Sequence, residues 1–294
     1  MNGVINVLKP PGMTSHDVVG AIRRIYRFKK VGHAGTLDPG AAGVLPVFLG
    51  SATRLIEYFS EDDKSYRAWV TFGAATDTGD DTGTVISKID SFTLPDAPEL
   101  EKTLASFLGS QEQVPPMYSA IKVAGKKLYE LARSGVTVER QPRPVTIHDL
   151  KLLKREETRI LIDVVCSKGT YIRTLCQDIG ERLNVPATMS FLVRLRAGDF
   201  KLADAWSLEE IAANQDKVCL NAADFLKLPL VKLDAQSLLF FQTGRKSIVD
   251  CQKGFNGSTV KITDWQDRFA GIGGYTKNAD NTATITPVKV MSGE

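Results

Sequence analysis

VGHAGTLDPG, residues 31–40, carries three glycines, one proline, one histidine and one aspartate in ten positions. Glycine and proline at that density break both a continuous helix and a central strand. The stretch therefore reads as a loop after a helix, with polar groups where backbone can approach a ligand closely. Its acid, Asp38, precedes Pro39. A residue before proline is driven toward extended backbone, which fixes how its side chain departs. By itself Asp38 is either a turn carboxylate bonded to its own backbone or a chemically active group.

Upstream, GVINVL (3–8) is an apolar run suited to a strand, and KPPGMTS (9–15) turns the chain. Ser15 is the expected N-cap of a helix over 16–28, with Asp17 favouring its positive end. Val18, Val19, Ile22, Ile25 and Tyr26 form its apolar stripe. Arg23, Arg24 and Arg27 occupy the other face and continue into Lys29 and Lys30 with no acid between them.

Downstream, GVLPVFLG (43–50) is apolar and ATRLIEYF (52–59) reads as a short helix. KSYRAWVTFG (64–73) alternates with period two, placing Tyr66, Ala68, Val70 and Phe72 on one face of a strand. TDTGDDTGTV (76–85) is rich in acids, but a calcium loop closes on a glutamate at its twelfth position. Counting from Asp77 the twelfth residue is Lys88, so a polar hairpin turn is expected. PELEKTLASFLG (98–109) predicts a helix ended by Gly109. The segment 113–135 opens on prolines, holds Lys122, Lys126 and Lys127, and ends in a helical stretch.

In TRILIDVVCSKGTYIRTLCQDIGERLN (158–184), Ile160, Ile162, Val164 and Cys166 alternate as a strand. Ile172, Leu175, Cys176, Ile179 and Leu183 then follow helical spacing, with Thr170 as the expected cap. Arg173 falls in the first turn, where the helix dipole disfavours a cation. A local rule broken in this way often marks a site. In WSLEEI (206–211), Ser207 and Glu210 form a capping box. From PLVKLD (229–234) onward the pattern changes to short strands and turns.

The 294 residues allow one large domain, or one domain and a small one. Hydrophobic content of 43% and charged content of 24% are those of a soluble globular chain. No apolar run is long enough to span a membrane, and the N-terminus lacks a secretory pattern, so a cytoplasmic location is expected. The four Cys form no C-x-x-C pair, and none of the three His sits at zinc-ligand spacing from a Cys. No metal, no disulfide and no cofactor is expected, since phosphate-loop and dinucleotide fingerprints are also missing. The net charge of +3 is modest, but the two basic groups beside candidate site loops favour a polyanionic ligand.

GHAGTLDPGAAGVLP (32–46) resembles the signature loop of the TruB-type tRNA pseudouridine synthases. KPPGMTSHDVV (9–19), KSY (64–66), the P-P-x-Y-S-A-x-K run at 115–122, GTYIR (169–173) and SFLVRLRAGDF (190–200) match further motifs of that family. The resemblance implies an α+β fold: a mixed, mainly antiparallel central sheet flanked by helices, then a small C-terminal PUA-like β barrel. It divides the chain into a catalytic domain at 1–228, with an RNA-gripping insertion at about 123–145, and an RNA-binding domain at 229–294. It also implies conversion of uridine to pseudouridine at position 55 in the T-loop of tRNA, without cofactor and with the target base flipped out.

In that reading Asp38 is the catalytic acid and Arg173 its counter-charge, while Tyr66 stacks on the base and helps to remove the carbon-5 proton. Tyr171 and Leu192 wall the pocket, and His33 lies near the flipped base. Lys9, Arg23, Arg24, Lys29, Lys30, Lys122, Lys126 and Lys127 are the candidate contacts to RNA backbone. The expected partner is the tRNA T-arm, bound by a monomer with no guide RNA and no membrane. Three alternatives remain open at this level: a non-catalytic RNA-binding protein, a guide-RNA-dependent synthase, and a nucleoside hydrolase. A retaining hydrolase needs two carboxylates about 5 Å apart, whereas Asp38 is the one strong acid candidate.

Overall fold

The computed structural model describes residues 2–119, 121–123, 125–252 and 254–291. The chain begins with β1 (Gly3–Lys9), α1 (Ser15–Tyr26), β2 (Val31–His33) and β3 (Ala42–Leu49). A short 3-10 turn leads to α2 (Ile56–Ser60), then β4 (Lys64–Phe72) and the hairpin β5 (Ala74–Thr76) and β6 (Val85–Lys88). Next come α3 (Ala97–Ala105), β7 (Gly109–Gln113), the small pair β8 (Lys122–Val123) and β9 (Lys126–Lys127), and α4 (Leu128–Arg133). The long strands β10 (Arg143–Arg155) and β11 (Arg159–Cys166) precede α5 (Ile172–Arg182), β12 (Ala187–Ala197), β13 (Phe200–Lys201) and α6 (Leu208–Ala213). A second sheet follows, made of β14 (Leu230–Lys232), β15 (Ser247–Asp250), β16 (Thr259–Thr263), β17 (Phe269–Lys277) and β18 (Thr282–Val290), with α7 (Ala235–Gln242).

The first sheet has nine strands, ordered β1-β3-β12-β4-β11-β10-β7, with β2 on β3 and β13 on β12. Only the β3–β12 contact is parallel, so the sheet is mixed and mainly antiparallel, as expected. Register follows the alternation of β4. Ala68 faces Ile162 on β11 and Leu192 on β12, and Val70 faces Ile160. These residues share one buried cluster with Ile172, Leu175, Cys176 and Ile179 of α5 and with Leu100 and Leu104 of α3. Each such apolar side chain withdrawn from water stabilises the fold by about 1.5–3 kcal/mol. Helix α5 therefore packs on the centre of the sheet, against β12 and β4.

The second sheet runs β14-β16-β17-β18-β15, a five-stranded half-barrel where a small β barrel is expected. Its Ile272, together with Met291, packs in one cluster with Val4, Phe48, Phe59 and Phe200 of the first part. Among the described residues no helix is long and apolar enough to cross a membrane.

Several local expectations are corrected. Thr14, not Ser15, caps α1, in a capping box with Asp17. Ser15 is instead buried inside the first turn. Helix α3 stops at Ala105, and Gly109, at φ +88°, opens strand β7 rather than closing the helix. Tyr171 rather than Thr170 stands at the cap of α5, and it makes no side-chain capping bond. Residues 31–33 are not loop but a short edge strand paired with Phe48 and its neighbours, which lets the glycine-rich stretch start from a fixed point. Residues 143–145, expected in the insertion, pair with Gln111–Gln113 in the central sheet. The capping box of Ser207 and Glu210 and the polar hairpin at 76–85 form as read.

Candidate active site

Four backbone-bonding groups hold the Asp38 loop so that little besides the carboxylate is free. The Arg194 guanidinium donates to the carbonyls of Gly35 (3.0 Å) and Thr36 (3.5 Å), and to that of Val44 (2.7 Å) beyond the loop. The Ser15 hydroxyl accepts from the Leu37 amide at 2.8 Å and donates to the Leu37 carbonyl at 3.1 Å. Lys9 donates to the carbonyls of Pro39 (3.1 Å), Ala41 (2.6 Å) and Pro10 (2.9 Å). The Gly12 amide donates to Pro39 as well, at 2.8 Å. Asp38, Pro39, Gly40 and Ala41 close a β-turn through the Ala41 amide and the Asp38 carbonyl at 3.1 Å, with proline at its favoured second position. Leu37 and Ala41 are buried in the main core on either side.

This corrects the expectation for Lys9. With no exposed surface, and its ammonium engaged by three carbonyls, Lys9 has nothing to offer a phosphate. Burial pulls its pKa down from 10.5 to about 8. Two effects then compete in Lys9→Met, which has similar volume. Removing a buried cation relieves desolvation, but the Pro10 and Ala41 carbonyls lose the donor shown, at about 1–3 kcal/mol for each acceptor left buried and unpaired. The second effect dominates. Lys9→Met is expected to lower stability by about 2 kcal/mol, read as a fall in denaturation midpoint at unchanged m-value. An unchanged midpoint would show that Lys9 does not brace the loop.

Arg173 meets this loop from α5. Its Nε lies 3.0 Å from Asp38 Oδ2, and its Nη2 donates to Asp38 Oδ1 at 3.3 Å. The remaining donors reach the Thr78 carbonyl (2.9 Å) in the β5–β6 turn and the Tyr118 carbonyl (2.8 Å) in the segment after β7. One guanidinium thus joins three loops that are far apart in sequence. It is 4% exposed, whereas the Asp38 side chain is 35% exposed, so the carboxylate is the accessible half of the pair. The cation tolerates the first turn of a helix because Asp38 faces it there. The open end of that helix is served by Gln113, which accepts from the Tyr171 amide at 2.7 Å and donates to the Tyr171 carbonyl at 3.0 Å.

The electrostatic balance differs from the simple expectation that Arg173 lowers the Asp38 pKa. Burial raises it above the ordinary aspartate value and outweighs Arg173; Asp80 also raises it, and Lys9 opposes. Protein surrounds most of the carboxyl even though one edge is open, so desolvation is the larger effect. Asp80 itself is held ionised by Thr78 and Thr82, whose hydroxyls donate to its Oδ1 at 2.8 and 2.5 Å.

Tyr66 lies on β4 opposite Arg194 of β12, on the same sheet face as Ala68 and Leu192. Tyr66 and Tyr171 both lie within the field of Asp38, and burial raises both phenols above their usual value. Leu192 is buried in the core cluster that also contains Leu37. His33 is half-buried, with its Nδ1 enclosed and unbonded among the described residues. Burial and the charge of Arg194 lower its pKa, so it is neutral at pH 7. Asp38, Arg173, Tyr66, Tyr171 and Leu192 therefore converge, and His33 reaches the group through Arg194.

The basic residues divide. Arg24, Lys29, Lys30 and Lys126 are exposed. Arg23 turns back to donate to the Val31 carbonyl at 3.1 Å, which ties α1 to β2. The side chains of Lys122 and Lys127 lie outside the described residues, although their backbones pair in β8 and β9. Sequence reasoning missed the bracing roles of Lys9 and Ser15, the partners Thr78, Tyr118 and Gln113, the neighbour Asp80, and Arg194. Composition flagged the 76–85 turn as acidic, but nothing local reveals that its carbonyl faces Arg173.

Family models match two consecutive regions. The TruB family pseudouridylate synthase N-terminal domain matches residues 23–172, and the tRNA pseudouridylate synthase B C-terminal domain matches residues 173–228. A tRNA pseudouridine synthase B of Symbiobacterium thermophilum is 54% identical over 240 residues, 81% of this chain and 80% of the relative. One of Caldanaerobacter subterraneus subsp. tengcongensis is 48% identical over 277 residues, 93% of this chain and 95% of the relative. Among solved structures, a chain from an H/ACA RNP bound to a substrate RNA containing 2'-deoxyuridine superposes with a TM-score of 0.75 at 25% identity, over 99% of this chain and 85% of that one. A chain from a Cbf5-Nop10-Gar1 complex gives 0.75 at 27% identity, over 99% and 84%. With this fold, and with family models matching residues 23–172 and 173–228 in succession, this chain belongs to the TruB family of pseudouridylate synthases.

Proposed function

We propose that this chain isomerises uridine to pseudouridine in tRNA, at position 55 of the T-loop, using Asp38 as the reacting carboxylate. The Asp38–Arg173 pair carries the reading: an accessible carboxylate backed by a buried guanidinium that fixes its orientation. The relatives named as tRNA enzymes are about half identical to this chain, against about a quarter for the RNP chains, which favours a tRNA substrate taken without a guide RNA.

The bond from nitrogen 1 of uracil to the ribose breaks, the base rotates, and carbon 5 bonds to the ribose and loses its proton. Nothing is oxidised and no group is imported. Attack on the ribose and proton abstraction leading to elimination both draw on the same ionised carboxylate. The target base must leave its stack, at a cost of a few kcal/mol. Tyr66 stacks on it, Tyr171 and Leu192 enclose it, and His33 occupies the space it vacates. Residues 1–228 form the catalytic part and residues 229–294 a PUA-like RNA-binding part. The segment from 123 to the start of β10 grips the T-arm, with Arg24, Lys29, Lys30 and Lys126 on phosphates.

The test is an unmodified tRNA transcript incubated with the pure protein alone, followed by mapping of modified uridines. A single pseudouridine at position 55 is expected, and its loss when that uridine is replaced by cytidine. Modification elsewhere, or none without an added guide RNA, would overturn the substrate assignment.

A further inference from the structure

We propose that Arg194 is a positioning residue for the isomerisation: its guanidinium holds the Tyr66 hydroxyl as a hydrogen-bond acceptor and ties it to the loop that carries Asp38. The inference rests on the proposed part of Tyr66 in that reaction and names the group that orients it.

Arg194 is 1% exposed, the largest of the fully buried side chains. Among the described residues no carboxylate lies within ion-pair distance of it. A buried cation without a counter-ion is costly, so its retention here points to a role for its position. Its position is specific. The residue opposite Arg194 across the β12–β4 ladder is Tyr66, so the two side chains leave the same face side by side. The guanidinium donates to the Gly35, Thr36 and Val44 carbonyls, and its charge acts on the Tyr66 hydroxyl beside it.

Two glycines make room for this arrangement. Gly43, at φ +110°, lies against the Arg194 backbone where β3 and β12 run parallel, and a Cβ there would collide with it. Gly35, at φ +86°, would place a Cβ 3.4 Å from Arg194 Nη1. The loop thus packs on the Arg194 backbone at Gly43 and lies against its guanidinium at Gly35.

The chemistry follows from the donor inventory. A guanidinium has no acceptor, so the Tyr66 oxygen must receive its N–H. The phenolic proton is then free to turn away from Arg194. Nitrogen 1 gains a proton in the reaction and carbon 5 loses one. A phenol that gives the first and takes the second is a phenolate in between, and Arg194 is the cation beside that oxygen. Burial raises the Tyr66 phenol, and Arg194 opposes the rise. The other titratable groups around the pair are Lys9 from β1, His33 from β2, Lys64 from β4, Cys166 from β11 and Asp38.

The test is a double-mutant cycle on tRNA transcripts. Arg194→Lys keeps a cation in the core but loses the fork, and Arg194→Gln removes the charge; melting curves show which variants fold. In the otherwise native chain either folded variant is expected to lower single-turnover rate by about 30-fold or more, and Tyr66→Phe by about 100-fold. In the Tyr66→Phe background the Arg194 substitution is expected to cost less than about threefold, because residues that act as a unit are not additive. Equal losses in both backgrounds would show that Arg194 serves the fold or the loop alone, and would overturn the proposal while leaving the isomerase reading intact. A fully active Tyr66→Phe would also overturn it. An unmodified transcript with the native chain would instead sink the isomerase reading itself.

Discussion

Asp38→Asn is expected to abolish pseudouridine formation, with a loss of about 10⁴-fold or more in single-turnover rate. The substitution is nearly isosteric, so the turn closed by the Asp38 carbonyl and the Ala41 amide survives. The Leu37 and Ala41 anchors are untouched, and the loop carbonyls keep their donors from Lys9, Ser15 and Arg194. What disappears is the one group in the cluster that carries negative charge and faces solvent. A carboxamide neither attacks a ribose carbon nor takes a proton at neutral pH. Binding of tRNA is expected to stay within about threefold, because affinity for RNA comes mainly from phosphate contacts away from the carboxylate. The release of label from tRNA tritiated at carbon 5 of uridine measures the first quantity, and filter binding the second. Activity within tenfold of the native chain would remove Asp38 from the centre of the mechanism.

Arg173→Met should damage both fold and chemistry. The buried guanidinium connects Asp38 with the Thr78 and Tyr118 carbonyls, so its loss leaves a carboxylate and two acceptors without their donor. Removing one partner of a fully buried pair costs about 3–5 kcal/mol. Asp38 is one-third exposed, which discounts the ionic share, and about 2–4 kcal/mol is the expected loss.

The pH dependence has a definite sign. Burial already holds the Asp38 pKa above its ordinary value, and Arg173 pulls the other way. Without Arg173 the pKa rises further, so the carboxylate loses its charge at a higher pH and the acid limb of the rate profile moves up. The same raised value means that the folded chain binds this proton more tightly than the unfolded one. Asp38 therefore contributes a stability that declines as pH rises from the ordinary aspartate range through the raised pKa. Arg173→Lys retains charge but cannot reach both carboxylate oxygens and two carbonyls, and should fall between the two. An acid limb unmoved in Arg173→Met would show that the guanidinium does not set the ionisation of Asp38.

These effects differ in how far the linear chain reveals them. The oddity of Arg173 was visible beforehand: a cation in the first turn of a helix violates the dipole preference, and the violation pointed to a nearby anion. The alternation at 64–73 identified the strand that carries Tyr66 because period two is a local property. The cap of α1 was misplaced by one residue, since Thr14 and Ser15 are equally good capping residues by type and differ only in which one the core buries. Lys9 looked like a phosphate contact because charge is legible in a sequence and burial of a lone lysine is not.

By itself the sequence determined helix α1, the strand at 64–73, the strand and helix within 158–184, the glycine-rich loop with its single acid, and the family to which these motifs belong. It did so because helical and strand periods, turn residues and capping boxes act over a few positions. Only the tertiary structure decided which side chains brace that loop, that burial rather than Arg173 dominates the Asp38 carboxyl, and that Arg194 stands beside Tyr66. Those outcomes depend on pairing between β4 and β12, on the passage of α5 over the sheet, and on which charges are withdrawn from water. All three are set by contacts between segments more than a hundred residues apart, and no local pattern encodes them.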